Sequence, residues 1–409
     1  MSGMISVEEA LKRILASVEA PLAEERVPLE EGFGRTLARD VAALRTQPPF
    51  MNSAMDGYAI RAADAASAPV SLSVIGESAA GRAFAGAVGA GEAARIFTGA
   101  PMPAGADAVV IQEDVRRAGD RIELRQPVPA GENLRPAGMD FAEGEVVLKA
   151  GRRLTPRDVA LAAAANHVDL VARRRARVAI LATGDELVAP GQPIGPAQIV
   201  ASNSFAVAGV VQACGGVAID LGIAGDTLPA LEAAIARAQE AKADVLVTLG
   251  GASVGDYDLV QKALLGAGME LGFWRIAMRP GKPLMHGRLG QMRILGLPGN
   301  PSSSVVCSIV FLRPLLRALH GEPNAGGDPS EPGRLATDIP ANGLRQDYMR
   351  ASLQPGPDGI ARATPAASQD SSLVMTMAWA EGLIVRPPHA PAAKAGEPCR
   401  VIAFNKLGL

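Results

Sequence analysis

Between about residues 176 and 325 the sequence alternates short apolar runs with longer amphipathic stretches. This alternation restricts the fold more than any other feature. The runs RVAILATG (177–184), VAIDLG (217–222), DVLVTLG (244–250) and RILGLPG (293–299) are aliphatic and short enough to be buried strands. Helical patterns follow them at 203–216, 228–241, 258–268 and from Pro301 to about His320. Strands alternating with helices of this length predict a parallel sheet with helices on both faces. Pro314 is expected to kink or break the last helix, because it cannot donate the backbone hydrogen bond its turn requires. A further strand, FWRIAM (273–278), precedes the turn Arg279-Pro280-Gly281-Lys282-Pro283.

Outside this block the texture changes. Ser6, with Glu9 three residues on, predicts a capping box and a helix whose apolar face carries Val7, Ala10, Leu11, Ile14, Leu15 and Val18. Thr155-Pro156 predicts a second helix start, running to about Asn166. Over roughly 45–150, short apolar pieces such as Ala108–Ile111 and Ile122–Leu124 alternate with Gly, Pro and Asp, as in a small antiparallel β module. If both helices belong to one unit, this module is inserted within it. After about 325 the chain returns to Pro, Gly and short strands, read as a small all-β domain.

A chain of 409 residues exceeds one ordinary core and suggests several domains. Its net charge of −2, with both signs interspersed, gives no basic field for nucleic acid. Cys214, Cys307 and Cys399 are too scattered for a disulfide framework or a cysteine zinc site, and the four histidines are equally dispersed. A metal site would therefore use oxygen ligands, which suits Mg²⁺. The N-terminus lacks an apolar signal core, and Gln212 and Asp220 interrupt the greasy segment 205–225. No membrane span is expected, and the cytoplasm is the expected compartment.

In an open α/β sheet, ligands bind beyond the carboxyl ends of the strands. Four loops leave strands in that sense: Thr183-Gly184-Asp185-Glu186, Gly225-Asp226-Thr227, residues 250–258, and Leu297-Pro298-Gly299-Asn300-Pro301-Ser302-Ser303. Three carry acids, and the fourth opens a helix with hydroxyls. Taken singly, such residues are helix caps. Recurring on one edge, they suit a phosphate bridged by Mg²⁺. Arg279 and Lys282, on a turn stiffened by Pro and Gly, suit an oxyanion. There is no GxxxxGK[ST] phosphate loop and no GxSxG elbow.

The stretches PPFMNSAMDGYAI (48–60), RIFTGAPMPAGADAVVIQE (95–113), NLRPAGMD (133–140), ATGDEL (182–187), TLGGASVGDYD (248–258), MRPGKP (278–283) and LPGNPSSS (297–304) resemble the molybdopterin molybdenumtransferase family, which includes bacterial MoeA and the E domains of gephyrin and plant Cnx1. The match runs through nearly the whole chain in the family's order. It implies a multidomain α/β fold: a discontinuous helical domain (1–44 and 141–175), an elongated β-rich domain (45–140), a doubly wound, parallel-sheet molybdopterin-binding domain (176–325) and a C-terminal β-barrel (326–409). It also implies Mg²⁺-assisted insertion of molybdate into adenylylated molybdopterin, with release of AMP. The implied assembly is a homodimer with its active site across the subunit interface. A transient contact with the molybdopterin adenylyltransferase is expected.

By the same resemblance, Asp56 matches the family's essential acid, and Thr98, Arg135 and Asp140 match its other cross-subunit residues. Glu186, Asp226 and Asp258 match acids near substrate and metal. Gly250, Gly251 and Gly255 are expected to let the backbone approach the pyrophosphate or pterin, and Gly250, Gly251 and Ser253 are expected to bind substrate. Arg279 and Lys282 match the molybdate-side cations, although the first is often Lys. Pro298 and Pro301 shape the loop that Ser303 follows. Arg345 or Arg350, and Ser371, match C-terminal residues near the oxyanion, with the register of Ser371 open by one residue. A non-catalytic scaffold on the same fold and a tungstate-preferring enzyme are the alternative readings.

Overall fold

The computed structural model describes residues 4–251 and 259–409. Its largest core surrounds a six-stranded sheet made of β1 (Arg177–Thr183), β2 (Val217–Ala224), β3 (Val245–Leu249), β4 (Glu270–Arg275), β5 (Pro283–Leu289) and β6 (Met292–Leu297). The strand order is β2-β1-β3-β6-β5-β4. The first four strands in that order run parallel, whereas β5 and β4 are antiparallel to their neighbours. The expected parallel sheet is thus the larger part of a mixed one. Strand β5 escaped detection because Gly287, His286 and Arg288 interrupt its apolar run. The strand expected at 273–278 instead spans 270–275, and Met278–Arg279 leaves to join another sheet.

Helices α1 (Asn203–Ala213), α2 (Leu228–Glu240), α3 (Leu259–Gly266) and α4 (Pro301–Leu319) cover the two faces. Val207, Val210, Val306 and Leu315 pack on one face, and Leu231, Ile235, Val260 and Leu264 on the other. Helix α4 is long and apolar enough to cross a bilayer but is mostly buried in this core. Pro314 does not end it, for the helix runs on to Leu319. The preceding turn, Ser308–Leu312, is a π-helix, which accommodates the missing donor and the proline ring.

Residues 24–28 pair antiparallel with 169–173, so the chain does leave and re-enter one unit. Its core holds Val27, Leu37, Leu154 and Leu170, and Thr155 with Asp158 forms a capping box on helix Pro156–Ala164. The first helix, Val7–Ala16, buries Val7, Ala10 and Ile14 in the core of the six-stranded sheet instead. Ser6 caps it by accepting from the Glu9 N–H at 3.1 Å, but the Glu9 carboxylate turns outward to Arg13 at 2.7 Å. Only half of the expected capping box forms.

The inserted β module is a second six-stranded sheet with Ile60, Leu72, Ile122 and Leu124 in its core. Among the described residues, no hydrogen bond, ion pair or strand pairing joins residues 46–140 to residues 176–409. At the C-terminus, strand Gln346–Pro355 pairs with both Ala361–Pro365 and Gly382–Arg386, closing a five-stranded barrel with Glu331–Leu335 and Pro398–Ala403.

Candidate functional site

The parallel register places Thr183 beside Ala224, and Leu249 beside both Ala182 and Leu297. The strands that precede these four loops therefore end side by side, and the described parts of the loops share one edge. The Gly250 N–H donates to the Leu297 carbonyl at 3.1 Å, and the Asn203 amide donates to the Gly299 carbonyl at 2.6 Å. Gly250 and Gly251 have φ of +97° and +65°. A Cβ on Gly250 would stand 2.8 Å from the Thr183 carbonyl, and one on Gly251 would stand 2.2 Å from Val260. Only glycine lets the chain turn this tightly off β3. Ser253 and Asp258 lie outside the described residues, as does the rest of 252–258.

The cations gather on the same edge. The turn after β4 carries Arg279 and exposed Lys282, and it is tied to the barrel because Arg279 lies opposite Asp347 in a parallel ladder. Arg279 donates Nε to Asp347 at 2.6 Å and pairs Nη2 with the second carboxylate oxygen. This hydrogen-bonded pairing raises the Arg279 pKa. Arg350, on the same barrel strand, is only 1% exposed. Its Nη2 donates to the Asp370 carbonyl at 3.1 Å, while its Nε has no partner among the described residues. Burial pulls its pKa down; the charges of Asp347 and Asp370 oppose that shift, and nearby Arg279 adds to it. Of the two arginines left open by sequence, Arg350 is the one coupled to Arg279. Arg345 is half-buried on the barrel, and its carbonyl accepts from the Asn342 amide.

The start of α4 meets the loop that follows Arg350. Asn300 donates to the Ser371 hydroxyl at 2.8 Å, and the Ser302 N–H donates to the Ser371 carbonyl at 3.0 Å. Ser372 bonds Asp370 instead, so Ser371 is the serine at the helix start. Pro298 is buried and Pro301 occupies the first helical turn. Ser303 is 4% exposed, and its hydroxyl has no partner among the described residues. Beside Pro301 opens a cleft of 1120 Å³, lined by Asn203, Val210, Leu353, Met377 and Phe404.

The acids sit at the other end of the edge. The Asp226 N–H donates to the Asp185 carboxylate at 3.0 Å, and the Asp185 N–H reaches Asp226 at 3.5 Å. Asp185, Glu186 and Asp226 are all exposed. The Glu186 carboxylate folds back over Gly184. Among the described residues, no three His, Cys, Asp or Glu side chains converge on one metal position. The donor set is nonetheless all oxygen, and Mg²⁺ commonly uses one or two carboxylates together with substrate phosphates.

A second polar face lies on the β module. Asp56 accepts from the Thr98 N–H and from the Thr98 hydroxyl, both at 2.8 Å. These bonds, from the backbone first and then the hydroxyl, hold the Asp56 pKa below the usual carboxylate value, and Arg95 helps. Arg95 lies over the Tyr58 and Phe97 rings and donates to the Gly57 carbonyl at 3.1 Å. Arg135, Asp140 and Gly99 line a cleft of 560 Å³ with Phe50, Asn52 and Met139. Asp185, Asn300, Asp347 and Arg95 were not singled out from sequence. Each stands within or directly beside a motif, but its partner is distant in the chain.

Family models match three consecutive regions: the MoeA N-terminal region (domains I and II) over 5–166, a probable molybdopterin-binding domain over 179–318 and the MoeA C-terminal region (domain IV) over 332–404. A molybdopterin molybdenumtransferase of Haemophilus influenzae is 33% identical over 99% of this chain and 100% of its own. Molybdopterin molybdenumtransferase 2 of Mycobacterium tuberculosis is 36% identical over 97% and 99%. Two solved MoeA proteins of molybdopterin biosynthesis from Pyrococcus horikoshii superpose with TM-scores of 0.82 and 0.85, at 31% and 28% identity, over 98% of this chain and 99–100% of theirs. The chain belongs to the molybdopterin molybdenumtransferase family and is an enzyme of molybdenum cofactor biosynthesis.

Proposed function

We propose that this enzyme inserts molybdate into adenylylated molybdopterin, yielding molybdenum cofactor and AMP. The observation that carries the reading is Arg350, a buried guanidinium with an unpaired Nε beside Arg279. A buried cation left short of partners is costly unless an anion completes it. With Arg279, Lys282 and the Ser303 hydroxyl, it suits a tetrahedral dianion such as molybdate.

The 1120 Å³ cleft beside Pro301 has room for the pterin. The glycines after β3 admit the pyrophosphate close to backbone. Asp185 and Asp226, with Glu186 on the same loop, would hold Mg²⁺ against the phosphates. Mg²⁺ supplies charge neutralisation that makes AMP a better leaving group. In the reaction, the two dithiolene sulfurs bind molybdenum as an oxygen of molybdate leaves as water with the two thiol protons, while a separate water cleaves the phosphoanhydride.

Among the described residues, Asp56, Thr98, Arg135 and Asp140 share no hydrogen bond with that edge in one chain. They complete the site from the partner subunit of a homodimer. Asp56, kept ionised by Thr98, orients a proton-bearing group of the substrate or the attacking water. The test is AMP release from adenylylated molybdopterin with Mg²⁺, with and without molybdate. Molybdate-dependent release supports the reading; no release from folded protein sinks it. Asp226→Asn should raise the Mg²⁺ needed for half-maximal release.

A further inference from the structure

Asp347 stands among the cations of the sheet edge and is 4% exposed. Its carboxylate takes two donors of the Arg279 guanidinium, Nε and Nη2. That two-point grip is the one by which an arginine binds an oxyanion. The pair is held in register: the Gln346 N–H donates to the Ala277 carbonyl at 2.9 Å, in the ladder that sets Arg279 opposite Asp347. Arg350 feels both charges. Arg279, Lys282 and Arg350 carry three positive charges; Asp347 pairs with one of them directly, and Asp347 and Asp370 both act on Arg350.

We propose that Asp347 is a built-in competitor for the oxyanion, a positioning residue that acts through Arg279 and keeps the anion loosely held so that it can be passed on. The inference rests on the oxyanion reading above. Molybdate gains the full Arg279 fork only by displacing the carboxylate. Without the carboxylate the anion is gripped harder and surrendered more slowly. Asn at 347 keeps one acceptor for Arg279, so the guanidinium stays in place while the competing charge is gone. Losing a neighbouring negative charge then outweighs the slight loss of orientation.

The test is calorimetric titration of the full-length protein with molybdate, followed by steady-state kinetics. Asp347→Asn should tighten molybdate binding about tenfold and lower both KM for molybdate and kcat. The same substitution in an Arg279→Ala background should give a clearly smaller gain, because only the field of Asp347 on Arg350 is then removed. Unchanged or weaker binding by Asp347→Asn overturns the proposal, as does an equal gain without Arg279. If Asp347→Asn does not fold, ¹⁵N spectra of arginine Nε in the wild type decide. The Arg279 resonance, assigned with Arg279→Lys, should shift on adding molybdate; an unmoved resonance with bound molybdate contradicts the competition. A wild type that binds no molybdate defeats the oxyanion reading itself. A wild type that binds it, with no tightening in the variant, defeats only this inference.

Discussion

Asp56 and Thr98 form a closed pair on the β module: the Thr98 N–H and hydroxyl both donate to one carboxylate oxygen, each at 2.8 Å. Thr98→Val deletes the hydroxyl bond and leaves the backbone bond. The Asp56 pKa should rise, and the acid limb of the pH–rate profile should move to higher pH. Thr98→Ser should restore it. Asp56→Asn should lower kcat by about 10²–10⁴. An acid limb unmoved by Thr98→Val would detach Asp56 from the rate.

Arg350 makes a different kind of statement, because it is buried and short of partners. Arg350→Met removes a buried charge whose Nε is unpaired among the described residues and, with it, a single hydrogen bond to the Asp370 carbonyl, so the cost of the lost bond is offset by relief of the unpaired donor. Thermal unfolding should therefore shift little. Molybdate affinity should drop by about 1.5–3 kcal/mol, the usual worth of a hydrogen bond to a charged group. Equilibrium dialysis measures this, and undiminished binding would remove Arg350 from the oxyanion site.

Gly57 follows Asp56 directly, and a Cβ there would stand 1.9 Å from the Val110 carbonyl oxygen across the ladder. Rigid backbone cannot yield as a side chain would. Gly57→Ala should destabilise the β module by about 3 kcal/mol, near the upper range for overpacking. Denaturant unfolding should show the loss, and kcat should fall with it, because the strand that positions Asp56 must move.

His286 and His320 are buried, and burial lowers both pKa values from 6.5 to about 4. The His320 Nε2 accepts from the Ala176 N–H at 3.0 Å, which requires the neutral ring. The unfolded chain binds these protons at higher pH than the folded one. Stability is therefore complete above about pH 6.5 and is lost as pH falls towards 4. Each ring accounts for at most about 3 kcal/mol of that loss. Replacing His320 by Gln should flatten the dependence of the unfolding midpoint between these limits. An unchanged slope would contradict the linkage.

Periodic features could be read from the sequence. Four strands and four helices of the central sheet were visible because their apolar spacing follows local geometry, and loops at the carboxyl ends of adjoining parallel strands must meet. What escaped depended on distant partners. Barrel closure requires Gln346–Pro355 to pair on both sides. Asp347 gains its role from Arg279, 68 residues earlier. Helix Val7–Ala16 lies next to the discontinuous unit in sequence, yet its apolar face fits the large core. Glu9 left the capping box for Arg13 one turn away. Arg345 and Arg350 look alike in LRQDYMR, and only burial separates them.

The proposed site is composite: Asp56 of one subunit closes on Arg350 of the other. The most direct measurement is molybdate-dependent AMP release, at molybdate well below the dissociation constant of Arg350→Met, from a mixture of Asp56→Asn and Arg350→Met chains, each nearly inactive alone under that condition, after the subunits have exchanged. Random pairing gives about half mixed dimers with one of two sites intact, so about a quarter of wild-type activity should return. If Asp56 and Arg350 of the same chain formed the site, every site would carry one defect. Activity would then stay at the level of the separate variants, contradicting the cross-subunit assembly.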